Sequence, residues 1–254
     1  VDVTRDRYEG FAERYGLFRG ERDAAEVAFY RKLFDENGVR SVLDCGCGPG
    51  LDLKLFVELG REAWGVDASP AMLARARANL AALGDAVRLV EADFRELPGR
   101  VGREFDAATC LSGPLLELPD DREAGRALAS IKDVLRPGGI LVLTQGTTDK
   151  QWRERPRFIL ARDDAEVTRL FVIDYVGDGA RYTILDVLRR DGEGRLETWG
   201  IEYPRMRLRD DYERLLLEAG FDPVDFYGGY DFRPYDKETS GLLIIVARKP
   251  AADE

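Results

Sequence analysis

The chain has 254 residues, with 38 lysines and arginines against 48 aspartates and glutamates, a formal net charge of −10 and no histidine. That length suits one large domain that buries its own core without disulfides or metals. The missing histidine excludes Ser-His-Asp and Cys-His nucleophilic chemistry and removes the commonest metal ligand. The acidic balance and scattered basic residues argue against nucleic acid as a partner, and no apolar run approaches the ~20 residues that cross a bilayer.

The first elements read as helix. "YEGFAERYGLF" and "AAEVAFYRKLFDENG" have helical spacing that puts Phe29, Leu33 and Phe34 on one face, with Gly38 as a stop signal. "SVLD" is a strand, "LDLKLFVELG" a helix closing on Gly60, and "EAWGVD" the next strand. Ser69 as N-cap and Pro70 at the first helical position open "SPAMLARARANLAALG". Strands "VRLVEAD" and "FDAATCLS", helix "DREAGRALASIKDVL" and strand "GILVLTQ" follow, with "LRPGG" as the break between the last two. Strands alternating with helices predict an α/β fold, a doubly wound parallel sheet with helices on both faces. Beyond residue 150 the pattern turns β-rich: "AEVTRLFVIDYV", "ARYTILDVLRR" and "RLETWGIEYPRMRL", separated by the hairpin signals "GDG" and "DGEG". This predicts an antiparallel three-stranded insertion. Helix "RDDYERLLLEAG" and strands "FDPVDFYGG" and "GLLIIVARK" then resume the first pattern, and "PAADE" is a loose end. The expected division is an N-terminal helical lid over 1–38, a core over 39–150 and 209–250, and the β insertion over 151–208 covering the site.

The stretch "SVLDCGCGPG" raises three readings: metal site, redox pair or ligand loop. Cys45 and Cys47 are one residue apart, which is not C-x-x-C spacing, and with Cys110 they make an odd set without a histidine; buried packing is the expectation, with no metal. Gly46, Gly48 and Gly50 instead form G-x-G-x-G behind a strand, with Leu51 where a dinucleotide binder has its third glycine. Asp67 ends the second strand 21 residues after Gly46, a placement that suits a carboxylate accepting two ribose hydroxyls. Asp93 is a third acidic point.

"VLDCGCGPG", "VDAS", "EADFRELP", "FDAATCLS" and "LRPGGILVL", in this order over residues 40 to 145, resemble the class I S-adenosylmethionine-dependent methyltransferases. The resemblance implies a mostly parallel seven-stranded Rossmann-like sheet and S-adenosylmethionine as cofactor. It also implies cofactor roles: Asp44, Gly46, Cys47, Gly48 and Gly50 around the methionine part, Asp67 at the ribose, Ala68 and Met72 near the adenine, Asp93 and Phe94 at the adenine amino group, and Cys110 and Leu111 at the sulfonium end. Tyr15 is counted with this set.

A more distant likeness concerns the acceptor. "CLSGPLLELPDD", "IEYPRMRL" and "YDFRPYDKETSGLLIIVARK" resemble the glycine/sarcosine N-methyltransferase group and its small-molecule relatives, although "SGP" replaces that group's Asn-Ser-type pair after the fourth strand. The expectation is a methyltransferase acting on a small-molecule acceptor, an amine nitrogen of an amino-acid-like compound, by in-line displacement. An oxygen acceptor and a cofactor-binding protein without turnover are the alternatives. Because methyl transfer needs alignment more than covalent help, the catalytic candidates are orienting groups: Glu117 after the fourth strand, Tyr203 at the end of the insertion and Arg181 as a carboxylate clamp. Tyr8 and Tyr235 are further candidates for the pocket wall. The expected setting is cytoplasmic, without membrane partners, and with a homo-oligomer left open.

Overall fold

The computed structural model describes residues 8–18, 22–190 and 193–251, and "PAADE" and the tip of the "DGEG" hairpin fall partly outside them. The first helical turn, α1 (Ala12–Tyr15), leads to α2 (Ala24–Glu36), β1 (Ser41–Cys45), α3 (Leu51–Glu58), β2 (Glu62–Asp67), α4 (Pro70–Asn79), β3 (Val87–Glu91), α5 (Pro98–Val101) and β4 (Phe105–Cys110). Next come α6 (Asp121–Asp133), β5 (Leu135–Gln145) and α7 (Asp149–Glu154). The insertion strands are β6 (Phe158–Asp163), β7 (Val167–Val176), β8 (Gly179–Arg190) and β9 (Glu193–Tyr203), before α8 (Arg209–Glu218), β10 (Val224–Tyr227) and β11 (Leu243–Arg248).

Seven strands share one sheet in the order β10-β11-β5-β4-β1-β2-β3. β11 runs antiparallel to both its neighbours; the pairs from β5 through β3 are parallel. The central strands β1 and β4 are buried at every residue, which is why they read as continuous apolar runs rather than alternating ones. One face packs Leu43, Phe105 and Ala108 against Leu128 and Ile131 of α6 and Leu216 of α8. The other packs Val42, Ala107 and Val142 against Phe29 and Phe34 of α2, Phe56 of α3 and Leu73 of α4. Helix α2 is therefore part of the core, and among the described residues of the expected N-terminal lid it is the stretch 8–18 that reaches over the insertion, where Phe11 stacks on Trp199 at 4.1 Å. The α4 N-terminus forms as read from the sequence, with Ser69 Oγ accepting from Met72 N–H at 3.2 Å.

The insertion has four strands, in the order β6-β7-β8-β9, not three. The extra strand, β6, is an edge. Phe158 and Leu160 stand 62% and 60% exposed, so its formation rests on pairing with the longer β7 rather than on a buried face of its own. A satellite core of Leu116, Ile173, Tyr182, Ile201 and Met206 joins the insertion to the loop after β4.

Gly50 caps α3 in the left-handed region at φ +79°, and a Cβ there would lie 2.6 Å from Leu80 Cδ1 and 3.3 Å from Ala76 Cβ. Backbone strain and overpacking then add. Gly50→Ala should lower unfolding free energy by about 2–4 kcal/mol, read from the urea midpoint; an unchanged midpoint would mean that the α3–α4 seam can open without cost.

Candidate active site

A cavity of about 1220 Å³ opens at the carboxyl ends of the parallel strands and is roofed by the inner face of the insertion. From below it is lined by Gly46 and Gly48 after β1, Asp67 and Ala68 at the end of β2, Asp93 and Phe94 after β3, and Pro114 and Glu117 after β4. Met72 of α4 and Tyr15 of α1 also reach it. Gly46 has φ +74°, and a Cβ would meet Pro114 Cγ at 3.1 Å, so the missing side chain is what lets the first and fourth loops approach each other.

Asp67 holds the loop from the side. Its Oδ2 accepts from Gly48 N–H and its Oδ1 from Ser69 N–H, both at 2.8 Å. Burial pushes its carboxyl above the ordinary range despite these backbone donors. Asp93 is the opposite case. Burial raises its carboxyl, but Arg95 donates Nε to Oδ1 at 2.9 Å and Nη2 to Oδ2 at 2.5 Å, and the net shift is downward. Arg95 also reaches Glu123 at 2.6 Å.

Several expected cofactor residues stand behind the cavity wall. Asp44 is buried and accepts from Thr109 Oγ1 at 2.7 Å, bracing β1 against β4. Cys47 packs against Gly65, Gly50 against α4, and Leu111 lies in the core. Cys110 is buried, and burial raises its thiol well above the ordinary value. Cys45 and Cys47 are shifted the same way by the same cause, so all three are inert packing thiols. The left-handed Ser112 (φ +66°) and Gly113 (φ +84°) turn the chain immediately after β4, which brings Pro114 and Glu117 forward in place of Cys110 and Leu111.

Glu117 ends the 3₁₀ turn Pro114–Glu117 and faces the cavity. Tyr8 donates its hydroxyl to Glu117 Oε1 at 2.5 Å. Tyr203, at the end of β9, lines the same end. Burial first, and the Glu117 carboxylate second, raise both phenols well above their ordinary value, so both remain protonated. The loop carrying Glu117 is pinned by Arg207, which is fully buried and donates Nη1 to Leu115 O at 2.9 Å and Leu118 O at 3.3 Å, and Nε to Asp121 Oδ1 at 3.1 Å. Gln145 ties Arg207 to the sheet by donating to its carbonyl at 2.8 Å.

Arg181 does not reach the site. Its side chain is 60% exposed and pairs with Glu202 at 2.7 Å on the outer face of the insertion. The physical reason is the period of two along a strand: the neighbouring Tyr182 points inward instead, lines the cavity and shares its hydroxyl with Thr147 Oγ1 at 2.9 Å. Tyr235 also lies outside the cavity, donating to Asp149 Oδ2 at 2.7 Å. Sequence reasoning missed Tyr182, Trp199 and Arg22. The first two are legible in the alternation of "ARYTI" and "TWGIEY" once Tyr203 is placed inward. Arg22 gives no such signal. It lines the cavity beside the start of α3, donating to Leu51 O and Asp52 at 3.0 Å and to Glu26 at 2.7 Å.

The donor set fits a cationic nucleoside. The glycine loop leaves backbone exposed, the Asp67 carboxylate lines the cavity beside it, and among the described residues five lining carboxylates (Asp23, Glu26, Asp67, Asp93, Glu117) accompany two arginines (Arg22, Arg95). Among the described residues, no three carboxylates or thiols gather as a metal site, and no helix is long and apolar enough to cross a membrane. Residues 42–139 match the family model described as a methyltransferase domain. The chain is 31% identical over 252 residues to a glycine/sarcosine N-methyltransferase of Parasynechococcus marenigrum, covering 95% of this chain and 83% of the relative. The chain belongs to the class I S-adenosylmethionine-dependent methyltransferases. It is also 31% identical, over 90% of its length, to a glycine/sarcosine/dimethylglycine N-methyltransferase of Actinopolyspora halophila, of which it spans 39%. A solved amino pentose methyltransferase from Micromonospora echinaspora, with S-adenosylmethionine bound, shares the fold at TM-score 0.73 and 26% identity, covering 93% of this chain and 95% of that one.

The cofactor of this methyltransferase is S-adenosylmethionine, and the ribose role expected of Asp67 from its spacing is open to a direct test. Asp67→Ala should weaken cofactor binding at least about tenfold, the loss of one charge-assisted interaction. The pH dependence follows from the raised carboxyl. The folded protein binds the Asp67 proton more tightly than the unfolded chain does, so this group's stabilising contribution is full below the unfolded value and lost as pH rises through the folded one. The ionised form is the one that accepts two hydroxyls. Cofactor affinity should therefore fall as pH drops through the raised value, and that dependence should vanish in Asp67→Ala. Calorimetric titration across the acid range checks both; equal affinity in wild type and variant would remove Asp67 from the site.

Proposed function

We propose that this enzyme transfers the methyl group of S-adenosylmethionine to an amine nitrogen of a small molecule. The observation that carries this reading is the Glu117 carboxylate, flanked by two phenols that stay protonated, at the end of the cavity that the glycine loop and Asp67 leave for an acceptor. The names of the relatives, glycine/sarcosine N-methyltransferases, support nitrogen as the atom methylated.

When bound, the cofactor supplies an electrophilic methyl group on a positively charged sulfur. Glu117 accepts an N–H bond from the acceptor and so directs the nitrogen lone pair away from itself. Tyr203 and Tyr8 are neutral hydroxyl partners beside it. Asp67, Gly46 and Gly48 fix the cofactor's position, Met72, Ala68 and Phe94 give the adenine an apolar bed, and the stretch 8–18 with Tyr15 closes the open side and keeps water out. Arg181, on the outer face, has no part in this reading, and with it goes the expected grip on an acceptor carboxylate.

An amine attacks as the free base, and with no histidine the chain has no side chain whose ordinary value lies near 6.5 to take the proton. The proton then leaves to solvent before transfer. At limiting acceptor, kcat/KM should rise with pH through the acceptor's own ionisation, around pH 8–10. Glu117→Gln should lower kcat/KM about 10- to 100-fold and leave the shape of the profile unchanged. An inflection near pH 6.5 in wild type that disappears in the variant would make Glu117 a general base. Methyl transfer to phenols but to no amine would sink the nitrogen reading.

A further inference from the structure

The insertion roofs the cavity with its inner face, and its outer face is the one an antiparallel sheet ordinarily gives to water, with polar residues in alternation. Here the outer face is apolar as well. Phe158, Leu160 and Leu196 are more than half exposed, and Leu170, Val172 and Leu185 beside them are half-buried. Strands β7, β8 and β9 run ten to twelve residues. At ~3.3 Å per residue and ~4.8 Å between strands, the four-stranded face measures about 33 by 19 Å, roughly 600 Å². Two such faces give roughly 1,200 Å², the area that a specific protein interface buries.

The pattern across the strands is self-complementary. At the end where β8 begins, charges alternate in sign from strand to strand: Arg157 just before β6, Asp174 on β7, Arg181 on β8 and Glu202 on β9. Arg157 pairs with Asp174 at 3.3 Å and Arg181 with Glu202 at 2.7 Å, all four close to half exposed or more. Size falls in the same direction. The next row reads Phe158, Val172, Thr183, Gly200, and the one after it Leu160, Leu170, Leu185, Thr198, each ending on a small residue at β9. A two-fold axis along the strands, between β7 and β8, lays β9 of one copy on β6 of the other and β8 on β7. That operation sets Glu202 against Arg157 and Arg181 against Asp174 of the second copy, opposite in sign, and gives Phe158 and Leu160 the room left by Gly200 and Thr198. A closed two-fold contact needs one patch that fits itself in this way.

We propose that the outer face of the insertion binds a second copy of this chain, sheet on sheet, as a two-fold dimer. The roof of each cavity is one sheet thick, and the second copy's sheet turns it into a packed pair. The inference does not depend on which atom the enzyme methylates.

Sedimentation velocity on the full chain reads the oligomeric state, and wild type should be dimeric at micromolar concentration. Gly200 supplies the variant. A Cβ there would lie 3.9 Å from Tyr182 O, an unstrained distance, so a side chain has room in the monomer and none under Phe158 of a second copy. Gly200→Arg should weaken the dimer at least tenfold, and Leu160→Glu, on the exposed edge strand, should do the same. Retained S-adenosylhomocysteine affinity reports that each variant is folded. Should both lose that affinity, amide hydrogen exchange of wild type takes their place: protection of 158–160 and 198–202 should grow with protein concentration, and equal protection at all concentrations overturns the proposal. A folded Gly200→Arg that dimerises as wild type does places the contact on another face and overturns it. So does a wild type that stays monomeric, including one that binds phospholipid vesicles through this face instead.

Discussion

Burial of the central strands on both faces is the constraint from which the site follows. β1 and β4 lie side by side in the middle of the sheet with every residue buried, so neither face is open to a ligand. Ligand contact is left to the loops beyond their carboxyl ends. The chain leaves β1 for the face that packs α3 and α4, and leaves β4 for the face that packs α6. Diverging loops at such a switch point open a crevice. Both loops make their turns with left-handed residues, Gly46 and Gly48 in one and Ser112 and Gly113 in the other, because a backbone that must reverse within two residues of a buried strand has few other conformations available.

A crevice in an open sheet has no roof, and here the insertion supplies one that is fastened to the loop it covers. Arg207, in the segment between β9 and α8, donates to the carbonyls of Leu115 and Leu118, on either side of Glu117. The same turn is packed from above by Ile173, Tyr182 and Ile201 through Leu116. The position of Glu117 is therefore set jointly by β4 below and the insertion above. A guanidinium with five donors suits this task, since one side chain holds two carbonyls and a carboxylate at once.

The legible part of the sequence was the part whose signal is local. Strand–glycine–helix order, the Ser69-Pro70 helix start and the distance from Gly46 to Asp67 each reflect backbone geometry within one βαβ unit, and each stands where it was read. The illegible part depended on which face a strand presents. Arg181 and Tyr182 are neighbours with opposite destinies; alternation separates them, and it selects Tyr182 only once Tyr203 on the partner strand β9 is placed inward. β6 was missed for a related reason, being held by its partner strand while exposing Phe158 and Leu160. The loop after β4 misled by two residues: Cys110 and Leu111 match the motif, but the left-handed Ser112 turns them into the core and delivers Pro114 and Glu117 to the cavity.

The acidic points singled out by spacing are not equivalent once their neighbours are known. Asp93 faces a guanidinium that grips both of its oxygens, and its carboxyl is held low by that pairing against the effect of burial. Asp67 has backbone N–H groups as its donors, and burial wins, raising its carboxyl. A carboxylate already matched to a cation gains little from further donors, whereas one held at a cost in a dry setting gains the most from two ligand hydroxyls. Charge accounting at this end of the cavity thus favours a ligand that brings hydroxyls and a positive charge.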